Sequence, residues 1–475
     1  MNTTRFSGKR ITVFGLHRSG VAVAKLLDNL GAGVCVTDSR TADELQADID
    51  SLKGREINFI LGGHNRRCIE RVDLIVVSPG VPLDIPILRE AHSMGVPIVG
   101  ELEVAASVCP APIVAITGTK GKSTTTILTD GILRRGNFRR VCVAGNIGVP
   151  LSSEVQDLTP EDLVVAEVSS FQLETTVTFR PLVSVVLNLS RDHLDRHRTM
   201  AAYRSAKLKV CVNQAPADWI VLNAADEEVA AFSAETAAKA VYFSHASPPE
   251  IGTGVRNSRI LANWEGKSHW ICDVGDIPLL GRHNLQNVLA ATAVGQIFGI
   301  PPNLMRSAIL GFSPSEYPAL EHAFEPVKII NDVQFINDSK ATNVAAVKAA
   351  LESLSDPILL IMGGYDKGND YQPLVDLVRA KVKGLILLGS HRQIIRNALA
   401  SQVVTWDAAT MSDAVRIAYS HAVPGDVVLL SPANASFDMF TDYKERGQAF
   451  REVVNQLEST EATQRSYIHL EKLSA

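Results

Sequence analysis

The chain has 475 residues, 46% of them hydrophobic and 20% charged, which is too long for a single core and suits two to four domains of roughly 100–200 residues each. Lys+Arg 46 against Asp+Glu 51 leaves a net charge of −5, which excludes the broad basic field of a general nucleic-acid binder, and no apolar run approaches the ~18–20 residues that span a bilayer. The polar start Met1–Arg10 lacks the apolar core of a secretory signal. The six cysteines (Cys35, Cys68, Cys109, Cys142, Cys211, Cys272) are scattered without a CxxC pair, so the expectation is a cytoplasmic protein with neither a zinc site nor a disulfide framework.

Short β-rich runs alternate with amphipathic segments from the outset. Ile11–Phe14 reads as a strand, Val21–Leu30 as a helix and Val34–Thr37 as the next strand, with further runs at Ile57–Ile60, Leu74–Val77 and Ile98–Val99. This alternation predicts a doubly wound parallel α/β sheet. Pro110-Ala111-Pro112 punctuates the chain ahead of a strand at Ile113–Thr117, which places a domain boundary there. Leu163–Ala166, Val183–Leu187 and Trp219–Leu222 read as buried strands, Val241–Leu280 as a small antiparallel insert between Gly and Pro turns, and Asn284–Phe298 as a helix. Gly311–Pro318 reads as a second linker, and strands follow at Ile358–Met362, Gly384–Leu388 and Val427–Leu430. The expected fold is α/β in three domains, 1–109, 110–313 and 314–475. The first is Rossmann-like, the second a P-loop ATPase-like domain with a parallel sheet and the antiparallel insert, and the third again Rossmann-like.

The strongest local signal is Gly118-Thr119-Lys120-Gly121-Lys122-Ser123-Thr124, between the strand Ile113–Thr117 and a helix predicted over Thr124–Leu133. Glycines let backbone N–H groups converge on phosphate oxygens, the helix N-terminus adds its positive dipole, Lys122 reaches the outer phosphates and the Ser123 hydroxyl suits Mg²⁺. The full G-x-x-x-x-G-K-[ST] pattern would need glycine at 116, where Ile116 stands, so this is a shortened loop with Gly118 in that role. No separate guanine motif is present, which favours ATP. Glu167, ending a strand, is the carboxylate that a phosphate-bound Mg²⁺ requires; alone, it would read as a helix cap or surface charge. His193 lies past the next strand in a polar loop, where a histidine is ordinarily a surface residue. Gly15-Leu16-His17-Arg18-Ser19-Gly20 between a strand and a helix, with Asp38-Ser39-Arg40 ending the next strand, is a weak dinucleotide-like fingerprint that leaves an oxidoreductase open.

Five segments together resemble the Mur ligases: the phosphate loop, Glu167–Glu174, Asp192-His193-Leu194-Asp195, Gly281–Asn287 and Asn337–Asn343. Ser169–Glu174, Asn337–Asn343 and Ser431–Phe440 with Arg446-Gly447 are similar to the branch of that family that adds D-glutamate, and Ser78-Pro79-Gly80-Val81 extends the likeness to the first domain. The resemblance implies an ATP- and Mg²⁺-dependent amide ligase of peptidoglycan synthesis acting on UDP-N-acetylmuramoyl-L-alanine and D-glutamate through an acyl phosphate. It implies no nucleic-acid or membrane partner, and a monomer is expected. Lys122, His193, Lys207 and Lys340 become the catalytic set. Gly118, Thr119, Lys120, Gly121, Lys122, Ser123, Thr124, Asn284, Asn287 and Asp338 become the ATP contacts. Two Mg²⁺ ions would be held by Ser123, Glu167, His193 and a carbamylated Lys207, which on sequence alone reads as an exposed helical lysine. Arg18, Ser19, Asp38, Arg40, Ser78, Gly80, Asn146 and His193 fall on the UDP-substrate side. Lys340, Thr342, Lys367, Ser436, Phe437 and Tyr443 fall on the D-glutamate side. Asn284 also reads as a helix cap.

Three positions depart from the family pattern. Lys120 stands where a neutral residue, often Asn, is usual, and His17 where a small one is common. In Leu320-Glu321-His322-Ala323-Phe324-Glu325, Ala323 replaces an arginine that approaches the ATP phosphates in the family, a loss of about 2–4 kcal/mol of transition-state stabilisation that Lys120 would offset by supplying charge. The rival readings are another amide ligase of the superfamily, extending folate or adding a different amino acid, and a nucleotide-binding homologue impaired in catalysis.

Overall fold

The computed structural model describes residues 5–457, apart from Leu280, Ala319 and Lys367. The described chain forms three sheets within two compact units, Met1–Pro278 with Asn284–Phe312, and Leu279–His283 with Ser313–Ala475.

In the first unit, β1 (Arg10–Phe14), β2 (Gly33–Thr37), β3 (Ile57–Ile60), β4 (Leu74–Val77) and β5 (Ile98–Gly100) form a wholly parallel sheet in the order β3-β2-β1-β4-β5. The order reverses between β1 and β4, and in such sheets the crevice beyond the carboxyl ends at the reversal is where ligands bind. The turns carrying Gly15 and Ser78 meet there, the Ser78 hydroxyl donating to the Gly15 carbonyl at 2.8 Å.

The same unit holds a nine-stranded sheet built from β6 (Ile113–Thr117), β7 (Val141–Gly145), β8 (Leu163–Glu167), β9 (Val183–Val186), β10 (Trp219–Asn223), β11 (Lys239–Ser244), β12 (Gly252–Arg256), β13 (Arg259–Trp264) and β14 (Lys267–Asp273). Its order is β14-β13-β12-β11-β10-β9-β6-β8-β7. Strands β6 and β8 are buried along their whole length, as strands covered on both faces must be. The predicted antiparallel insert needs correction. β11 pairs parallel to β10 and β12 parallel to β11, so only β12–β13–β14 run antiparallel, and they extend the main sheet instead of standing apart from it.

The second unit carries β15 (Glu325–Ile330), β16 (Val333–Asn337), β17 (Ile358–Gly363), β18 (Val382–Leu388), β19 (Thr405–Asp407) and β20 (Val427–Ala433) in the order β15-β16-β20-β17-β18-β19, parallel except for the edge strand β15. Apolar clusters cover both faces of this sheet, one around Leu360 and Leu385, the other around Phe335 and Ile386. All six cysteines are free thiols, and among the described residues no helix is long and apolar enough to cross a membrane.

The helix Arg18–Asn29 approaches the turn after β1 so closely that a Cβ on Gly20 would lie 1.9 Å from the Gly15 carbonyl oxygen. Gly20→Ala is therefore expected to destabilise the first unit by about 2–3 kcal/mol, read as a lower urea midpoint. An unchanged midpoint would contradict that close approach.

Candidate active site

Parallel strands deliver their carboxyl ends to one edge, and β6 lies between β8 and β9. β6 runs into Gly118–Gly121, and the helix Lys122–Leu133 follows, with Lys122, Ser123 and Thr124 in its first turn, whose N–H groups point toward the helix's N-terminal end. Gly121 has φ +81°, and a Cβ there would fall 2.2 Å from Asn287 Oδ1, so neither the backbone conformation nor the space admits a side chain.

Two N–H groups of the loop are already engaged. Those of Thr119 and Lys120 donate to Asn188 Oδ1 at 3.1 and 2.8 Å, while Asn188 Nδ2 donates back to the Lys120 carbonyl at 3.1 Å. Thr119 Oγ1 accepts from the Ser190 N–H at 3.0 Å and lies 3.2 Å from the Tyr203 hydroxyl. The loop is thus clipped to the segment leaving β9, and an anion would be met by the first turn of the helix and by the lysines.

Those lysines crowd one spot. Lys122 Nζ donates to the Gly118 and Thr119 carbonyls, both at 3.1 Å, and Lys207 Nζ donates to the Gly118 carbonyl at 2.8 Å and to Thr117 Oγ1 at 3.3 Å. Lys207 is only 1% exposed, which overturns the surface-helix reading of this residue. Burial first, and then the neighbouring Lys122 cation, hold its amine well below the usual lysine range. Lys120 Nζ pairs with Asp192 Oδ2 at 3.3 Å. Burial would raise the Asp192 carboxyl, but the charges of Lys120 and His193 outweigh it and keep the group below its ordinary value.

Glu167, buried at the end of β8, accepts from Ser123 Oγ at 2.7 Å and from Asn146 Nδ2 at 2.6 Å. A carboxylate and a hydroxyl beside a phosphate loop are hard oxygen donors of the kind Mg²⁺ takes. Among the described residues no three His, Cys, Asp or Glu side chains converge as a metal site. His193 precedes the short helix Leu194–His197 with φ +53° and a 46% exposed side chain, its ring meeting the edge of Phe171 at 4.9 Å. The helix predicted from Asn284 begins at Arg282, so Asn284 lies inside it and does not cap it. Its Oδ1 accepts from Asn287 Nδ2 at 3.1 Å, and Asn287 Oδ1 accepts from Thr125 Oγ1 at 3.2 Å, which sets both asparagines against the phosphate-loop helix.

At the first sheet, Asp38 Oδ2 accepts from the Leu16 N–H at 2.7 Å, and Arg40 bonds both Asp38 and the Leu16 carbonyl. Burial opposes ionisation of Asp38, but these hydrogen bonds, led by the Arg40 side chain, hold it below the carboxylate norm. Arg18 and Ser19 open the helix after β1, Arg18 donating to the Gly148 carbonyl beside Asn146. Gly80 lies in the turn closed by the Val81 N–H on the Ser78 carbonyl.

In the second unit, β16 and β20 are parallel neighbours, and their carboxyl ends lead into the other candidates. Both oxygens of Asp338 are engaged, Oδ1 by the Phe324 N–H at 3.0 Å and Oδ2 by Ser431 Oγ at 2.8 Å. Arg446, on the helix over 443–457, donates to Ser339 Oγ (3.0 Å), the Ser339 carbonyl (2.8 Å) and the Asn434 carbonyl (3.0 Å), while Ser339 Oγ donates to the Tyr443 carbonyl. Burial lowers the Arg446 guanidinium to about 10. One side chain thus ties the segments bearing Lys340 and Thr342, Ser436 and Phe437, and Tyr443. Phe437 is 67% exposed, and Lys367 lies outside the described residues. The Lys340 N–H donates to the His322 carbonyl, which sets Ala323 beside the Lys340 turn.

Sequence reasoning missed the roles of Asn188, Tyr203, Arg196 and Arg446. Only the partner of each, distant in sequence, reveals what it does.

Family models match three segments of the chain: a MurD-like N-terminal domain over residues 9–100, a Mur ligase middle domain over 116–295 and a Mur ligase glutamate ligase domain over 324–434. The chain is 41% identical over 453 residues to UDP-N-acetylmuramoylalanine--D-glutamate ligase of Pelotomaculum thermopropionicum, covering 94% of this chain and 98% of the relative. It is 42% identical over 449 residues to the enzyme of the same name from Acidobacterium capsulatum, covering 94% and 96%. Among solved structures, a pseudomurein peptide ligase type C from Methanothermus fervidus shares the fold at TM-score 0.58 and 19% identity, covering 95% of this chain and 100% of that one. UDP-N-acetylmuramate-alanine ligase from Thermotoga maritima does so at 0.56 and 18%, covering 95% and 100%.

Asn188→Ala is expected to weaken Mg²⁺–ATP binding about tenfold, the ~1.4 kcal/mol of a net hydrogen-bond loss. An unchanged Kd by calorimetry would show that the loop keeps its shape without the clip.

Proposed function

The chain belongs to the Mur ligase family, and on that premise we propose that it joins D-glutamate to UDP-N-acetylmuramoyl-L-alanine in an ATP-driven step of peptidoglycan synthesis. The observation that carries this reading is the 41% identity, over nearly the full length of both chains, to an enzyme named for that reaction. Mur ligases are ATP-dependent and use Mg²⁺.

In the reaction proposed, an oxygen of the alanyl carboxylate attacks the γ-phosphorus of ATP and the bond to ADP breaks. The amine of D-glutamate then attacks the acyl carbon, the C–N bond forms, inorganic phosphate leaves and the amine proton passes to solvent. Three anionic reactants must meet, so the work of the chain is positioning and neutralisation. Lys122 and the N-terminus of the helix Lys122–Leu133 take the phosphates, with Lys120, Asn284, Asn287 and Asp338 as further ATP-side groups. Arg18, Ser19, Asp38, Arg40, Ser78, Gly80 and Asn146 take the UDP-substrate. Lys340, Thr342, Lys367, Ser436, Phe437 and Tyr443 take D-glutamate. The domains serving these ligands are 1–109, 110–313 and 314–475, and the enzyme works as a cytoplasmic monomer.

Bound Mg²⁺ supplies charge neutralisation to the phosphates. Ser123 and Glu167 would hold one ion, and His193 with a carbamylated Lys207 a second. The support for the carbamate is the buried, depressed amine of Lys207, since a neutral amine is the form that adds CO₂, forming an N–C bond and releasing a proton. As pH falls through its lowered pKa the amine protonates and can no longer react. ¹³C-bicarbonate should therefore give a carbamate resonance that fades on acidification and is missing from Lys207→Ala; a wild-type spectrum without it would sink this assignment.

Phosphate release measured with UDP-N-acetylmuramoyl-L-alanine and a panel of amino acids tests the reaction itself. ADP formation should depend on D-glutamate, and preference for another amino acid would place the chain in a different branch of the superfamily. Ala323 favours the second reading, a nucleotide-binding homologue impaired in turnover, and D-glutamate-dependent turnover would dispose of it.

A further inference from the structure

Arg196 joins the turn that the proposed reaction gives to the UDP-substrate to the elements around His193. Its Nη1 donates to the Val81 carbonyl at 3.0 Å, while Nε and Nη2 donate to Glu174 Oε2 at 3.2 and 3.0 Å. The pair is largely buried, with side-chain exposures of 16% for Arg196 and 27% for Glu174, so solvent screens it far less than a surface ion pair. The guanidinium also lies over the Phe171 ring, 5.4 Å from its centroid, and the edge of that same ring meets His193.

Each contact leads somewhere specific. Val81 closes the turn that holds Ser78 and Gly80, and its side chain packs on the turn after β1, where a Gly15 Cβ would come within 2.9 Å of Val81 Cγ2. Glu174 ends the helix Ser170–Glu174, which a Ser169–Gln172 capping box starts and which Lys209 Nζ fastens by donating to the Glu174 carbonyl at 2.7 Å. Phe171 stands on that helix, also 5.5 Å from His197, whose Nε2 lies 3.0 Å from Ser170 Oγ. His193 itself holds a left-handed backbone conformation that a non-glycine residue keeps only when its surroundings impose it. A second link across the same elements, Arg198 to Asp84 at 2.9 Å, is 77% and 57% exposed and adds little.

We infer that Arg196 is a positioning residue that couples the UDP-substrate turn 78–81 to the placement of His193, so that occupying the first sheet's crevice sets the imidazole beside the nucleotide. This rests on the function proposed above. The guanidinium suits the task because its planar fork serves a carbonyl, a carboxylate and a ring face at once, which a lysine ammonium cannot do.

The test is thermodynamic coupling on the full-length protein. Calorimetry gives the Kd of UDP-N-acetylmuramoyl-L-alanine with and without saturating Mg²⁺–β,γ-methylene-ATP, and the reverse pair. The wild type should show coupling of about fivefold or more, the lower end of what linked sites display. Arg196→Met should bring it close to one while leaving the melting temperature and the Kd of each ligand alone within about threefold, and Arg196→Lys should restore it only in part. Undiminished coupling in Arg196→Met, absence of coupling in the wild type, or a fall in melting temperature with both Kd values weakened alike would overturn the inference. If Arg196→Met does not fold, Phe171→Leu, which keeps the ion pair and removes the ring, decides: lost coupling supports the inference and retained coupling overturns it. Failure of the wild type to bind the UDP-substrate at all would instead overturn the proposed function, and with it this role.

Discussion

Strand β6 is hydrogen-bonded in parallel to β8 on one edge and to β9 on the other, with Ile116 opposite Glu167 and Thr117 opposite Val186. That pairing decides which groups meet the phosphate loop, because side chains alternate faces along a strand and a slip of one residue would turn Glu167 away from Ser123. The loop after β6, the carboxylate ending β8 and the amide two residues beyond β9 converge because three buried parallel strands end together. The chemistry is carried by residues at those ends, and the apolar strands behind them hold the ends in register.

Electrostatics follows from the same convergence. Lys122 and Lys207 donate to one carbonyl, that of Gly118, and Lys120 stands next to them in the loop. Like charges this close cannot all be held at ordinary pKa values away from water, and the most buried member, Lys207, is the one whose ammonium form is disfavoured. Lys120 pairs with Asp192 at 3.3 Å. The net charge of −5 says nothing about this cluster, since all the ligands proposed are anionic and the positive charge they need is local.

Much of the scaffold could be read along the chain. Ile57–Ile60, Leu74–Val77 and Ile113–Thr117 were readable to the residue, because each is a short β-rich run bounded by polar or turn residues. β15 and β16 gave weaker signals. Glu325–Ile330 carries a proline and a lysine on an edge strand, and Val333–Asn337 breaks its apolar run with Gln334, so neither has the continuous pattern of a buried strand. β11 reads as part of the antiparallel insert because an apolar run holds no information on the direction of its partner; its parallel pairing with β10 follows from the chain between them, which includes the helix Glu227–Ala230.

Local order alone was enough for the α/β class, the phosphate loop and most candidate ligands, since a strand, a glycine turn, a lysine and a helix start are neighbours in sequence and their chemistry is written in that adjacency. Tertiary packing decided what depends on partners far along the chain. Lys207 reads as a solvated helical lysine until the helix packs onto β6, and Asn188 is a featureless loop asparagine until β9 lies beside β6 and brings it to the amides of Thr119 and Lys120. Burial and long-range hydrogen bonds are properties of the assembled sheet, and no window of sequence contains both of their partners.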